Sequence, residues 1–539
     1  MSNLETKTNQ AQDRAQVLRA AGIVSAALLL SRMVGLLREM FIRSSLGVVT
    51  IEATAFDIAK AFPEAIFMII AGGAIGSAFI PTFAAYFTRD DEIGAWRLFS
   101  AIINLITITV TLVALVAMLF AQDIVLFFYG EKIALYPELL PITVRLMRIM
   151  LISPIIFGAS GVIMGALNAR QHFLLPALAP TVYNLGIIIG GLIGLQVGKT
   201  AFATAVGLAI GTVIGASGHL LIQLPALRWK HARYTAVFTL RDPGVIQVIK
   251  LMIPRVLGLS FNEINTFIRL YLTGSMLLGS LPALNAAFRL IILPQGIIGQ
   301  ALGIAAFPTL STLAAKENYA DMRIIVTDSL RLLLFLGLPV TVLLIMLREP
   351  IIRLLFERGL FGSESTELVV NALYYFSFAL VGILFLEVLA RSFYALSDTF
   401  TPVLAGMMQV LMMTGLSLWL LNSVFAPRGW VELGALALGY SISNYLEVAV
   451  LLILLRRKLG RLNGREFVDA GWRMGVAAAL MVAAMGFLLG RLAVEALWAQ
   501  LILGTAVGLL VYVGVCWLLR VKEVMLFWGY GRRLLLRSH

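Results

Sequence analysis

The stretch SRMVGLLREM, residues 31–40, places Ser31, Arg32, Arg38 and Glu39 inside a long apolar run. A central arginine costs a membrane helix roughly 2.5–3.5 kcal/mol on insertion scales. Arginines at that depth are typical of a water-filled cavity that receives an anion, because the guanidinium fork suits phosphate or carboxylate oxygens. Arg32 and Glu39 share one helix face, whereas Arg38 is rotated well away from Arg32.

Arg289 is a second deep arginine in a different apolar run. We expect Arg38 and Arg289 to face a water-filled cavity. The alternative for Arg38 is an internal ion pair with Glu39 that only neutralises both groups. Lys250, Arg145 and Arg331 are instead expected to extend along the lipid and reach the headgroups.

Acidic residues in the apolar runs could bind a coupling cation. Glu263 is the best candidate, since it lies beside Asn262 and Asn265 in FNEINTF. The alternative is that Glu263 only pairs with Arg255 or Arg269. The other acidic residues in apolar runs are Asp57, Glu64, Glu387 and Glu447.

The composition favours a polytopic membrane protein. Of the 539 residues, 60% are hydrophobic and 13% are charged, against about 25% charged in soluble domains. The net charge of +13 could suggest nucleic acid, but the basic residues lie in short loops between apolar runs, and no nucleic-acid partner is expected. One cysteine and four scattered histidines provide no metal site. No cofactor is expected, because neither a P-loop nor a G-x-S-x-G motif is present.

About fourteen apolar runs are long enough to span a membrane, so the predicted fold class is an all-α polytopic membrane protein. The predicted spans are 17–43, 55–86, 96–121, 141–168, 174–196, 201–225, 244–274, 281–315, 324–347, 368–394, 401–424, 432–455, 472–491 and 497–519. The glycines repeated at four-residue intervals in GIIIGGLIG and GLAIGTVIG predict close helix packing.

Weak internal repeats indicate two six-helix lobes. SRMVGL at 31–36 resembles PRVLGL at 254–259, Pro81 aligns with Pro308, and Pro176 aligns with Pro402. The offsets are nearly constant, at about 223, 227 and 226 residues. Because six is even, both lobes share one orientation, and the last two spans are an appendage.

This repeat defines the predicted domains. They are a cytoplasmic segment 1–16, an N-lobe 17–226, a basic loop 227–243, a C-lobe 244–455, a basic loop 456–471, two C-terminal spans 472–519, and a basic tail 520–539. Alternate loops starting from the N-terminus hold about 24 Lys and Arg and the opposite loops about 8, so both termini are predicted to be cytoplasmic.

Several segments resemble, in order, signatures of the MurJ/MviN-type lipid II flippases, within the multidrug/oligosaccharidyl-lipid/polysaccharide exporter superfamily. They are SRMVGLLRE, AFPEAIFMIIAGGAIGSAFIPTFAAY, ALNARQHFLLPALAPTVYNLGI, FRLIILPQGIIGQALGIAAFPTLS and FYALSDTFTPV. The resemblance implies two lobes around a cationic cavity and C-terminal helices that line a lipid-tail groove. It also implies transport of undecaprenyl-diphosphate-linked peptidoglycan precursor to the outer leaflet of the bacterial inner membrane, with membrane lipids and the cell-wall synthesis machinery as partners.

The family motifs match Ser31, Arg32, Arg38 and Glu39 in the first span and Arg289 in the eighth. The resemblance thereby implies that these five residues bind the substrate, and we expect Arg38 and Arg289 to hold its diphosphate together. Glu263 and Asn265 remain the candidate coupling-ion site on the basis of their residue types. The resemblance leaves the energy source open between the membrane potential, sodium and protons.

The chain departs from the family pattern at several positions. Phe67 and Met68 replace a pair of arginines, and Gly72 replaces an acidic residue. Thr54 stands where an aspartate is expected, with Glu52 and Asp57 nearby.

These departures keep open a flippase for another polyprenyl-diphosphate-linked oligosaccharide, or a cation-coupled exporter of the same superfamily. An enzyme acting on polyprenyl diphosphates would need clustered carboxylates or an activated nucleophile, which the sequence does not suggest. A scaffold that only binds lipid or protein would have little use for deep arginines. We therefore expect a transporter and not an enzyme.

Overall fold

The computed structural model describes residues 26–69, 78–461, 464–492 and 496–525, without the side chains of 254, 255, 257–259, 261 and 262. All regular structure in these ranges is helical, as the fold class predicted. The helices are α1 (26–46), α2 (Ile51–Phe67), α3 (Ile80–Phe87), α4 (Glu92–Leu119), α5 (Ala121–Leu135), α6 (Leu139–Met150), α7 (Ile152–Ala169), α8 (Leu174–Gly198), α9 (Ala201–Leu221), α10 (Leu224–Trp229), α11 (Pro243–Gly274), α12 (Ser280–Pro294), α13 (Gln300–Ala315), α14 (Tyr319–Met346), α15 (Arg348–Phe356), α16 (Ser363–Ser377), α17 (Leu380–Ala395), α18 (Phe400–Leu420), α19 (Ala426–Arg428), α20 (Leu433–Leu459), α21 (Gly464–Leu489) and α22 (Leu497–Leu518).

Ten of the helical segments in the described ranges are long and apolar enough to cross a membrane, or eleven if the bent pair α16–α17 forms one span. The remaining predicted spans are 17–43, 55–86 and 244–274. Each coincides with helix where it is described, but each carries several charged residues. The helices α1, the α2–α3 pair and α11 therefore correspond to the three most polar of the predicted spans. Residues 17–25 of the first predicted span lie outside the described part of the chain. The count of about fourteen is consistent with these helices without being established by them.

Helix breaks recur at equivalent places in the two halves of the sequence. A π-helical turn begins at residue 68 after α2, and another occupies Gln295–Gly299 between α12 and α13. Their starting positions are separated by the same offset as Pro81 and Pro308. Pro176 and Pro402 are each the third residue of a long helix, α8 and α18. The repeat therefore has a structural counterpart in helix starts and helix breaks.

The glycine-rich faces of α8 and α9 pack backbone against backbone, as their spacing predicted. A Cβ added to Gly190 would lie 2.4 Å from Gly211 Cα, and one added to Gly186 would lie 2.4 Å from Gly215 Cα. Real Cβ atoms essentially never approach other atoms so closely. Small residues are required here because they let two helices approach within a bilayer, where dispersion between surfaces drives packing.

The chain forms two compact units. The first comprises residues 1–281 with Gly359–Phe361, and the second comprises 282–358 with 362–539. Helix α11 therefore belongs to the first unit by its contacts. The division at residue 226 or 244 into two six-helix lobes stays a prediction based on the repeat.

Helix α5, which the sequence analysis did not predict, ties α11 into the first unit. The hydroxyls of Tyr129 and Thr273 are 2.8 Å apart. Lys132 is buried, and its ammonium donates to the Met276 carbonyl just beyond α11. These polar contacts satisfy groups that would otherwise be buried without partners.

The C-terminal helices α21 and α22 pack on α14 in the second unit. Arg331 of α14 is buried, with its Nη2 2.9 Å from Glu523 Oε1 and its Nη1 3.5 Å from Glu466 Oε2. The prediction that Arg331 reaches the headgroups is therefore wrong. The guanidinium finds carboxylates near α21 and after α22, so it need not extend to the lipid surface.

A salt bridge joins the loop between α17 and α18 to the end of α20. Asp398 Oδ2 lies 2.7 Å from Lys458 Nζ at the end of α20, and Thr401 donates to the same carboxylate from its backbone and its hydroxyl. Burial opposes ionisation of Asp398, but these hydrogen bonds prevail and bring its pKa to about 2.

Candidate arginine site

Arg38 of α1 is the best-placed predicted anion ligand in the first unit. It is half-buried, and its Nη1 donates to Oδ1 of Asn184 on α8 at 2.9 Å. Gly35 lies one turn earlier, where even a Cβ would stay 3.7 Å from the Asn184 amide nitrogen. The Arg38 Nε has no hydrogen-bonding partner in the described residues. A neutral amide thus orients the guanidinium, and its charge is not neutralised by that contact.

Arg43, which the sequence analysis did not single out, is the centre of a buried charge cluster. Its Nε donates to Glu39 Oε1 at 2.8 Å, and its Nη2 donates to Asp57 Oδ2 at 2.9 Å. Lys60 Nζ is 3.7 Å from the other Asp57 oxygen. Arg43, Glu39 and Asp57 are all at most 2% exposed. The cluster therefore joins the end of α1 to α2 by charge-assisted hydrogen bonds.

The neighbouring charged residues Arg38 and Glu39 of the motif in α1 bond to different partners. Arg38 bonds to Asn184, whereas Glu39 bonds to Arg43 one turn further along α1. Ser31 and Arg32 are half-buried on the preceding turns of the same helix. Arg38 and Glu39 therefore contact different parts of the first unit.

Arg289 lies on α12 in the second unit. Its side chain is exposed, although Ala286, Ala287 and Leu290 around it are buried. Arg289 therefore presents its guanidinium at the surface of the second unit.

The candidate coupling-ion residues Glu263 and Asn265 lie on α11, and both are half-buried. Glu263 is repelled by Glu64 of α2 and attracted by Arg269 of its own helix. The ring of Phe62 packs 5.1 Å from that of Phe267, which holds α2 against α11. The side chains of Asn262 and Arg255, named with them in the sequence analysis, lie outside the described residues.

The departures from the family motifs have visible consequences. Phe67, where the resemblance led us to expect an arginine, packs its ring 4.6 Å from that of Phe157. Met68 is 43% exposed, and Gly72 lies outside the described residues. The Thr54 hydroxyl bonds only to the preceding turn, at the Thr50 carbonyl. The carboxylate of Asp57, about one turn later, bonds to Arg43.

Solved structures establish the class of fold. A structure described as lipid II flippase MurJ, inward closed conformation, matches with a TM-score of 0.75 at 23% identity, covering 91% of this chain and 97% of that one. An inward-facing multidrug resistance MATE family transporter of the MOP superfamily matches with a TM-score of 0.69 at 13% identity, covering 82% and 99%. The fold is that of multi-helical membrane transporters.

The family follows from the sequence comparisons. The sequence model of the family described as lipid II flippase MurJ matches residues 42–511. A Burkholderia cenocepacia protein described as "Lipid II flippase MurJ" is 27% identical over 446 residues, which cover 82% of this chain and 84% of that protein. A Vibrio cholerae relative described as "Probable lipid II flippase MurJ" is 27% identical over 493 residues, covering 90% and 91%. This chain belongs to the MurJ lipid II flippase family and is a multi-pass membrane protein.

Proposed function

We propose that the chain moves lipid II, the undecaprenyl-diphosphate-linked peptidoglycan precursor, from the inner to the outer leaflet of the bacterial cytoplasmic membrane by alternating access. The observation that carries this proposal is the family match across residues 42–511. The flipped lipid serves cell-wall synthesis. Moving its negative charge outward across an inside-negative membrane is favourable by roughly 2.3 kcal/mol per charge per 100 mV.

Arg38 and Arg289 each contact the diphosphate in this proposal. A guanidinium can give two parallel hydrogen bonds to phosphate oxygens, which a lysine cannot reproduce. The Asn184 bond supports this role for Arg38, because a neutral partner orients the guanidinium and leaves its charge for the substrate. The exposure of Arg289 supports it in the second unit.

The remaining residues of the first motif take two different roles. Ser31 and Arg32 contribute polar contacts to the substrate from the half-buried turns before Arg38. Glu39 acts as a positioning residue through its bond to Arg43, which fixes the end of α1. Its burial supports this role, because a carboxylate at the diphosphate itself would repel it.

Glu263 and Asn265 form the proposed coupling site for sodium or a proton. The nearby Glu64 supports this role, since two repelling carboxylates lose that repulsion when a cation or proton joins them. The membrane potential is the second energy source that we propose.

Both termini are proposed to be cytoplasmic, because the loops predicted on the same side of the membrane as the termini carry more Lys and Arg than the loops on the opposite side. Single cysteines at residues 235 and 460, in a Cys516→Ser background, should resist labelling by a membrane-impermeant maleimide in intact cells. Cysteines replacing Leu278 and Arg428 should be labelled. Labelling at residue 235 from outside would overturn this orientation.

A second candidate is a flippase for a different polyprenyl-diphosphate-linked oligosaccharide, or a cation-coupled exporter of the same superfamily. The observation that favours it is the apolar packing of Phe67 and the exposed Met68, where the family resemblance led us to expect arginines.

Complementation of a flippase-depleted bacterium tests the main proposal. The parental chain should restore growth, and Arg38→Ala or Arg289→Ala should abolish rescue at equal protein level. Each change removes a charge-assisted contact worth about 1.5–3 kcal/mol, or about tenfold or more in affinity. Lysine at either position should rescue only partly.

Lys250→Ala is the matched control, since Lys250 is an exposed cation on a spanning helix and should be dispensable. Parental rescue by both alanine variants at Arg38 and Arg289 would exclude their role in anion binding. Failure of the parental chain to complement, despite insertion, would favour the second candidate.

A further inference from the structure

Helix α14 of the second unit contains a proline in its interior. Pro339 lies near the C-terminal end of this 28-residue helix. Because proline has no backbone N–H, it cannot bond to the carbonyl four residues earlier, which is that of Phe335. A spanning helix tolerates an internal proline where a neighbouring group bonds to the freed carbonyl, since an unpaired carbonyl is costly within a bilayer. The Phe335 carbonyl therefore needs a donor from outside the α14 backbone.

Tyr512 of α22 supplies this donor. Its hydroxyl donates to the Phe335 carbonyl at 3.0 Å, and the centroids of the two rings are 5.7 Å apart. Tyr512 is 1% exposed and belongs to one buried cluster with Met474 and Met481 of α21. These apolar neighbours offer the carbonyl no donor of their own. The hydroxyl of Tyr512 thus replaces the amide that α14 lacks.

The C-terminal helices hold α14 on both sides of Pro339. Before the proline, the buried Arg331 forms a salt bridge with Glu523, which follows α22. After the proline, Gly504 of α22 packs closely on Leu347 at the end of α14, since an added Cβ would lie 3.0 Å from the leucine side chain. The hydroxyl bond lies between these two contacts. Movement of α22 would therefore act on α14 at the point where its own hydrogen bonding is interrupted.

The other side of α14 packs on α17 close to the proline. Gly337 is two residues from Phe335 and so faces roughly the opposite way. A Cβ added to Gly337 would lie 2.8 Å from Leu384 Cδ1 on α17. Helix α17 also carries Glu387 and Arg391, which line an open cavity of about 540 Å³ in the second unit. The shape of α14 near its proline therefore positions a helix that lines this cavity.

We propose that Tyr512 is a positioning residue for transport, through which the C-terminal helices α21 and α22 set the shape of α14 at Pro339. The hydroxyl satisfies the freed carbonyl in one shape of α14, and movement of α22 releases that carbonyl and lets α14 bend. The C-terminal helices are then part of the moving machinery of the second unit and not only an addition to the repeat. The inference rests on the proposed function, since the motion that it controls is part of alternating access.

Tyr512→Phe tests this role, because it removes only the hydroxyl. Hydrogen exchange of the full-length chain in nanodiscs, read by mass spectrometry, should become faster in peptides that cover 332–346. The Tm should fall by about 2 °C. Flipping of lipid II labelled on its peptide with nitrobenzoxadiazole, read in proteoliposomes by dithionite bleaching, should slow about three- to tenfold. The affinity for lipid II in native mass spectrometry should stay parental, because Tyr512 is enclosed by its own helices.

Pro339→Ala tests the mechanism. This change returns an amide to residue 339, which can bond to the Phe335 carbonyl within α14. Tyr512→Phe should then have almost no further effect on exchange or Tm when it is added to Pro339→Ala. Such non-additivity distinguishes a role at the carbonyl from a general loss of packing. If Tyr512→Phe alone does not fold, the double variant should fold, because its carbonyl is satisfied.

Tyr129→Phe is the matched control. Tyr129 is also a buried tyrosine, and its hydroxyl lies 2.8 Å from that of Thr273 in the first unit. Loss of this hydroxyl should lower the Tm as well, but the exchange of 332–346 should stay parental. Its effect on Tm should be the same with and without Pro339→Ala.

Parental exchange of 332–346 in folded Tyr512→Phe would overturn the inference, as would an equal effect of Tyr512→Phe with and without Pro339→Ala. Faster exchange with a parental flipping rate would make Tyr512 a structural residue and also overturn the positioning role. A double variant that does not fold would have the same consequence. If the parental chain flips no lipid II, the proposed function fails, and the exchange and Tm results then decide alone whether Tyr512 sets the shape of α14.

Discussion

Replacing Arg43 with methionine should destabilise the first unit, because the change leaves two buried carboxylates without their shared cation. Arg43 is 0% exposed and bonds to Glu39 at 2.8 Å and to Asp57 at 2.9 Å. Methionine fills part of the space of the arginine stem, so the effect comes from charge more than from a cavity.

The structure sets the size of this effect. Removing one partner of a buried ion pair is destabilising by about 3–5 kcal/mol. Lys60, with its Nζ 3.7 Å from Asp57, can compensate part of the buried negative charge, so we expect a loss of about 3 kcal/mol. Adding Glu39→Gln and Asp57→Asn to Arg43→Met should restore most of it, since no uncompensated carboxylate then remains buried.

Thermal unfolding in detergent, followed by tryptophan fluorescence, measures this loss. At roughly 2 °C per kcal/mol for a unit of this size, Arg43→Met should lower the Tm by about 6 °C. Lys60→Met is the control and should change the free energy of unfolding by less than about 1 kcal/mol. A parental Tm for Arg43→Met, or a triple variant less stable than Arg43→Met, would refute this account of the cluster.

Two further predictions concern packing and pH. Gly190→Leu should destabilise the α8–α9 pair by at least about 3 kcal/mol and reduce the yield of monodisperse protein in size-exclusion chromatography. Gly514→Leu is the control and should not reduce this yield, because nothing lies within 4 Å of its added Cβ. Equal yields of the two variants would contradict the packing of α8 on α9. Asp398 has a pKa of about 2 against an ordinary 3.8, so its contribution to stability is present above about pH 4 and is lost as the pH falls through about 2. Asp398→Asn should therefore have a lower Tm than the parent at pH 6, and this difference should shrink as the pH falls below about 4. A difference in Tm that stays constant down to about pH 2 would contradict the assignment.

The helices were predictable from the sequence because the bilayer demands long apolar runs, and the runs are visible without any knowledge of packing. The glycine contacts between α8 and α9 were predictable for a similar reason, since their four-residue spacing places them on one face. The helix α5 was not predicted, because it is too short and too polar to meet the criterion for a span.

The partners of the charged residues were mostly not predictable. Arg43 is the last residue of the predicted span 17–43 and was not singled out, and its partner Asp57 lies on the next helix, α2. Asn184 carries no charge and gives no signal of its own, although it is the partner of Arg38. Arg331 was assigned to the lipid surface because long basic side chains near a helix end can reach the headgroups, and its partner Glu523 lies after the last predicted span. Each of these contacts depends on how helices that are distant in sequence meet.

The π-helical turn at Gln295–Gly299 interrupts the regular α-helical repeat between α12 and α13. It holds one more residue than an α-turn, so it offsets the angular phase of everything beyond it by about 100°. Arg289 lies on one side of this turn, and Gly303, whose added Cβ would lie 2.7 Å from Arg391, lies on the other. If this turn had regular α-helical geometry, α13 would be rotated by about a quarter turn relative to α12. This turn therefore sets the angle between the helix face that carries Arg289 and the face of α13 that meets Arg391.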